Sequence, residues 1–146
     1  MTNETQKIVD TLNGFLRGEI SAVETYRQAL VKLNHTNARP ELEDCHRSHE
    51  QRIATLREHI VRMGGAPAND SGAWGTFAKL VEGGAAALGE KAAIAALEEG
   101  EDHGLKLYRE DSAKLDVGSR QLVEMALLPA QERTHRTMST LKHTYH

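Results

Sequence analysis

The chain has 146 residues, 39% of them apolar, with 18 Lys plus Arg set against 21 Asp plus Glu. That is about one domain's length, its charges are interspersed with no basic block to grip a polyanion, and no apolar run approaches the roughly 18 residues of a membrane span. Nucleic acid and membrane are therefore set aside as partners. Six aromatic residues against eight His, with only three Pro and an abundance of Ala and Glu, argue for an all-α fold. They also leave an oversupply of a side chain that binds metals and protons. Cys45 is the one cysteine and cannot form an intramolecular disulfide. The first residues lack the charged-then-apolar pattern of a signal segment, so a cytoplasmic location is expected.

From Thr5 to Leu33 the apolar residues Ile8, Leu12, Phe15, Leu16, Val23, Tyr26, Leu30 and Leu33 recur in steps of three and four, which predicts a long amphipathic helix. Pro40 is suited to open a second helix, running to about Met63 with Leu42, Ile53, Leu56, Ile60 and Met63 on one stripe. Gly64, Gly65 and Pro67 end it. A polar link leads to a short helix from Trp74 to Leu88, and another long helix is predicted from about Glu90 to Leu115. After a turn, Ser119 is the expected N-cap of a last helix carrying Leu122, Met125, Leu128, Met138 and Leu141, which Pro129 should kink. Short, long and short connections predict a single-domain four-helix bundle over residues 1–146, up-down-down-up, with a long crossover containing the short helix.

Extending each apolar stripe through its gaps brings polar residues inward. They are Glu19 on the first helix, His46 and His49 on the second, Glu98 and Glu101 on the third, and Glu132 and His135 on the fourth. Ionised carboxylates in an apolar interior cost several kcal/mol each unless they meet one another, water or a cation. Across the turn between the third and fourth helices, Glu101 is expected to face Glu132, and Glu98 to face His135. On the first hairpin, Glu19 and His49 are offset by roughly 7 Å along the helix axis. Tyr26 and Tyr108 are expected to pack with their hydroxyls near polar partners. Gly100 and Gly104 are expected to permit close helix approach, and Cys45 to lie on a helix flank.

At these residues the sequence resembles the ferritin-like superfamily. The run from Leu12-Asn13 through Glu19 to Tyr26 is similar to the first helix of bacterioferritin and rubrerythrin, and Glu132-Arg-Thr-His135 resembles the superfamily's Glu-x-x-His ligand pair. Glu98-Glu-Gly-Glu101-Asp102 is similar to a segment in an uncharacterised bacterial branch of ferritin-like four-helix bundles of unknown function. The resemblance implies a metal centre holding one or two iron or manganese ions. The residues implied as ligands are Glu19, His49, Glu98, Glu101, Glu132 and His135, with His46 and Glu50 as other second-helix candidates. One departure stands out, because the second Glu-x-x-His is expected near residues 51–54, where this chain has Gln51-Arg52-Ile53-Ala54. That leaves room for an asymmetric pair, a single metal or a degenerate site, and Arg52 could replace one cation by pairing with the carboxylates.

Two functions follow as expectations. One is a metal-binding protein that oxidises Fe(II) or scavenges peroxide in oxidative stress, its carboxylates suited to iron or manganese. The other is a non-enzymatic bundle, a stress-associated or partner-binding protein with a metal-free polar core. Assembly into a homo-oligomer is compatible with both.

Overall fold

The computed structural model describes residues 1–72 and 89–145. Its regular elements, among the described residues, are all helical. They are α1 (Asn3–Lys32), α2 (Arg39–Arg62), α3 (Glu90–Asp111), a 3-10 turn (Ser112–Lys114), α4 (Val117–Leu122), a π-helical turn (Val123–Leu127) and α5 (Leu128–Thr144). With α4, the π turn and α5 read as one rod, four long helices form a helical bundle in which α1 packs on α2, α3 on α5, α1 on α3 and α2 on α5. The short helix expected from Trp74 to Leu88, and His146, lie outside the described residues. No described helix is long and apolar enough to cross a membrane.

Local chemistry sets the helix ends. The Thr2 hydroxyl accepts from the Thr5 N–H at 3.0 Å and caps α1. Pro40 lies in the first turn of α2, where its missing N–H leaves no hydrogen bond unmade. Gly64, at φ +85°, turns the chain out of α2, and Gly65 N–H bonds back to the Ile60 carbonyl at 3.0 Å. The link beyond is pinned to α1 by Asn13, whose amide donates to the Ala66 carbonyl at 3.0 Å and accepts from the Ala68 N–H at 2.8 Å. Ser119 is not a cap. Asp116 takes that position, while Ser119 is buried against His59 at 2.8 Å.

The apolar interior consists of two clusters. One gathers Tyr26, Ala29, Leu42, Cys45, Ile94, Leu97, Met138 and Leu141. The other gathers Leu12, Phe15, Leu16, Leu56, Ile60, Tyr108, Val123 and Leu127. Cys45 thus lies in the core, at 2% exposure, and not on a helix flank. Each buried Leu or Ile contributes about 1.5–3 kcal/mol. Between the clusters every long helix places polar side chains inward: Glu19 from α1, His49 and Arg52 from α2, Glu101 from α3, and Gln131 and Thr134 from α5.

Candidate functional site

The central layer is built around His49, which is 2% exposed. Its Nδ1 lies 2.5 Å from Glu19 Oε1 and its Nε2 lies 2.6 Å from Glu101 Oε2. A ring between two carboxylate acceptors must carry a hydrogen on both nitrogens, so His49 is an imidazolium. Burial works against its charge, but the Glu101 and Glu19 carboxylates outweigh that and hold its pKa above the ordinary value.

Arg52 supplies the second cation. Its Nη1 donates to Glu19 Oε2 at 3.3 Å and to Gln131 Oε1, and its Nη2 donates to Thr134 Oγ1 at 2.9 Å, Ser48 Oγ at 3.0 Å and the Ala130 carbonyl at 3.4 Å. The guanidinium therefore lies inside a cage of five oxygens drawn from α1, α2 and the fourth rod. Only Nε, of all the layer's polar atoms, lacks a partner among the described residues.

The carboxylates are also saturated. Glu101 Oε1 accepts from Thr134 Oγ1 at 2.6 Å and Gln131 Nε2 at 3.0 Å, while Oε2 accepts from Tyr26 OH at 2.5 Å in addition to His49. Glu19 Oε2 accepts from Tyr108 OH at 2.5 Å as well as from Arg52. Burial alone would raise the Glu19 carboxyl, but the charges of Arg52 and His49 and the His49 and Tyr108 hydrogen bonds hold it down at about 2. Glu101 is lowered too, with burial opposed by the His49 charge and hydrogen bond and by Arg52. Both tyrosines are pushed well above their ordinary range, by burial first and then by the carboxylate each one faces. Cys45 is pushed up to about 12 by burial and by Glu101.

Three of the residues expected as ligands thus converge: Glu19, His49 and Glu101. The other three do not join them. Glu132 turns outward, 40% exposed, and pairs with Arg109 at 3.4 Å. Glu98 and His135 face each other as expected, at 3.8 Å, but as a separate half-buried pair between α3 and α5, where Glu98 also meets Lys142 at 3.3 Å and His135 meets Asp102 at 3.5 Å. On α2, His46 is half-buried and Glu50 is exposed, paired at 3.2 Å away from the layer. Gln131 and Thr134 take the inward places assigned to Glu132 and His135. The buried series steps by four into and through the π turn, Ser119, Val123, Leu127 and Gln131, where a stripe drawn through Leu122, Met125 and Leu128 steps by three. The buried series accordingly runs Val123, Leu127, Gln131, Thr134, Met138, while Met125 is 79% exposed.

The tyrosines and Gly104 meet their expectations. A Cβ on Gly104 would lie 2.9 Å from Gln131 Nε2, so the glycine admits the amide that bonds Glu101. Beside the layer, between α1 and α3, a cavity of about 40 Å³ is lined by Phe15, Ala22, Leu97 and Leu107 together with Glu19 and Glu101. It has space for one or two waters.

The chemistry of this donor set decides how it fits a metal pair. Two carboxylates against one imidazolium and one guanidinium give zero net charge, and the carboxylate oxygens are already met by protein donors. Two divalent ions would add four positive charges to a balanced layer and displace those donors, so a dinuclear centre does not fit this arrangement. Among the described residues no three His, Cys, Asp or Glu side chains are arranged to hold an ion.

A family model described as a domain of unknown function (DUF2383) matches residues 7–114 of the chain. No curated protein matches it.

Proposed function

The chain belongs to the DUF2383 family, and from that premise we propose that it is a ferritin-like four-helix bundle, up-down-down-up, that works as a non-enzymatic, partner-binding protein with a metal-free polar core. The observation that carries this reading is the His49 imidazolium between Glu19 and Glu101, with the Arg52 guanidinium beside it. A buried ion pair contributes little net stability compared with an apolar replacement, and its best-attested use is to select one arrangement of helices over others. Charges from α1, α2 and α3 meet hydroxyl and amide groups from the fourth rod in one plane, and a slipped helix would leave a charge unpaired. Partners would then meet the outer faces of a bundle whose register is fixed from within.

The metal-binding reading, with iron or manganese and oxidation of Fe(II) or removal of peroxide, keeps one observation in its favour, the convergence of Glu19, His49 and Glu101. Metal analysis of protein purified without chelator separates the two. The metal-free core predicts less than about a tenth of an equivalent of iron or manganese, and a melting temperature unmoved by added Mn²⁺ or by chelator. A stoichiometric metal content lost on Glu19→Ala would sink it.

A further inference from the structure

We infer that Arg52 is the residue that keeps metal out of this bundle: its guanidinium fills a cation cage of oxygen atoms, and the chain without it binds a hard divalent ion there. This inference rests on the metal-free reading above and names the side chain responsible. The five oxygens that receive the guanidinium are Glu19 Oε2, Gln131 Oε1, Thr134 Oγ1, Ser48 Oγ and the Ala130 carbonyl. One is a carboxylate, two are hydroxyls and two are carbonyl oxygens, a donor set of the kind that Mn²⁺, Mg²⁺ and Ca²⁺ take. Arg suits the place better than Lys would, because its planar fork reaches several acceptors at once.

Charge points the same way. With Arg52 present, the layer is balanced, and a divalent ion would leave it two positive charges in excess. Truncating Arg52 leaves Glu19 and Glu101 against His49 alone, one negative charge in excess, in a space a guanidinium has vacated. A hydrated or partly hydrated Mn²⁺ can enter that space without requiring His49 to change its protonation, so no ligand proton has to be displaced. The cage is assembled from α1, α2 and the fourth rod, and binding should therefore tie those elements together again.

The experiment is equilibrium dialysis of four chains against MnCl₂, with bound manganese counted and helicity followed by circular dichroism. Wild type and Arg52→Lys, which retain a cation in the cage, should hold less than about a tenth of an equivalent. Arg52→Ala should hold about one equivalent, and Arg52→Ala with Glu19→Gln should lose it again. If Arg52→Ala is unfolded without metal, a return of helical signal on adding Mn²⁺ supports the inference, and no return overturns it. Manganese in the wild type at one equivalent or more defeats the metal-free reading itself. An empty wild type beside an empty Arg52→Ala defeats only the assignment of Arg52.

Discussion

The Thr134 hydroxyl lies between two ions, donating to Glu101 Oε1 at 2.6 Å and accepting from Arg52 Nη2 at 2.9 Å. Valine has the same shape without either bond, so Thr134→Val should cost about 1–3 kcal/mol in urea unfolding, and Thr134→Ser distinctly less. Gly104→Ala should cost a similar amount, about 1–3 kcal/mol, because its Cβ would press on Gln131 Nε2 and push the amide off Glu101. At this scale the sequence was readable where charge interrupted an apolar stripe: Glu19, His49 and Glu101 announced themselves because the residues four before and four after each are apolar. Arg52 showed only as a departure from the expected ligand motif. Gln131 and Thr134 gave no signal at all, since a neutral polar residue beside a stripe looks the same whether it faces water or the core.

For whole elements, α1, α2 and α3 were legible because their stripes, with the polar gaps filled in, keep steps of three and four. The fourth rod was not. A stripe drawn in steps of three through Leu122, Met125 and Leu128 arrives at Glu132 and His135, whereas the rod steps by four through its π turn, Val123–Leu127, and brings Gln131 and Thr134 inward. The displaced register is testable. Met125→Ala should change stability by no more than about 0.5 kcal/mol, as that side chain is 79% exposed. Inserting an Ala after Met125 should be far worse, because a further extra residue turns α5 by about 100° against α4 and carries Gln131 and Thr134 out of the interior. Melting curves of the two variants, recorded side by side, decide this, and an insertion as stable as the substitution would show that the rod's register is not fixed.

Across the molecule, the buried charges tie stability to pH on both sides. The Glu19 carboxyl is held at about 2, below its ordinary value of 4.5, so its contribution is present above 4.5 and is lost as pH falls toward 2. His49 has the opposite sign. Its pKa is raised above 6.5, so its contribution is full below 6.5 and is lost as pH rises through the raised value. Stability measured by urea unfolding should therefore pass through a maximum between these limits. His49→Gln should lower the maximum and remove the fall on the alkaline side, and an unchanged alkaline limb would show that another group causes it.

The division of the apolar interior by this charged plane bears on how the bundle comes apart. A bundle with an unbroken core can fray from one end, shedding layers one at a time. Here, opening the end around Leu12, Phe15 and Tyr108 would carry Glu19 and the Tyr108 hydroxyl away from His49 and Arg52, leaving two cations facing Glu101 in a half-open interior. Opening the other end would likewise strip Tyr26 from Glu101. Neither half can leave without making the other unstable, so the plane should weld two small cores into one cooperative unit. Native-state hydrogen exchange should then give the slowest amides of the two ends, near Leu12 and near Met138, a common opening free energy, whereas two separate values would mean that the halves unlock independently.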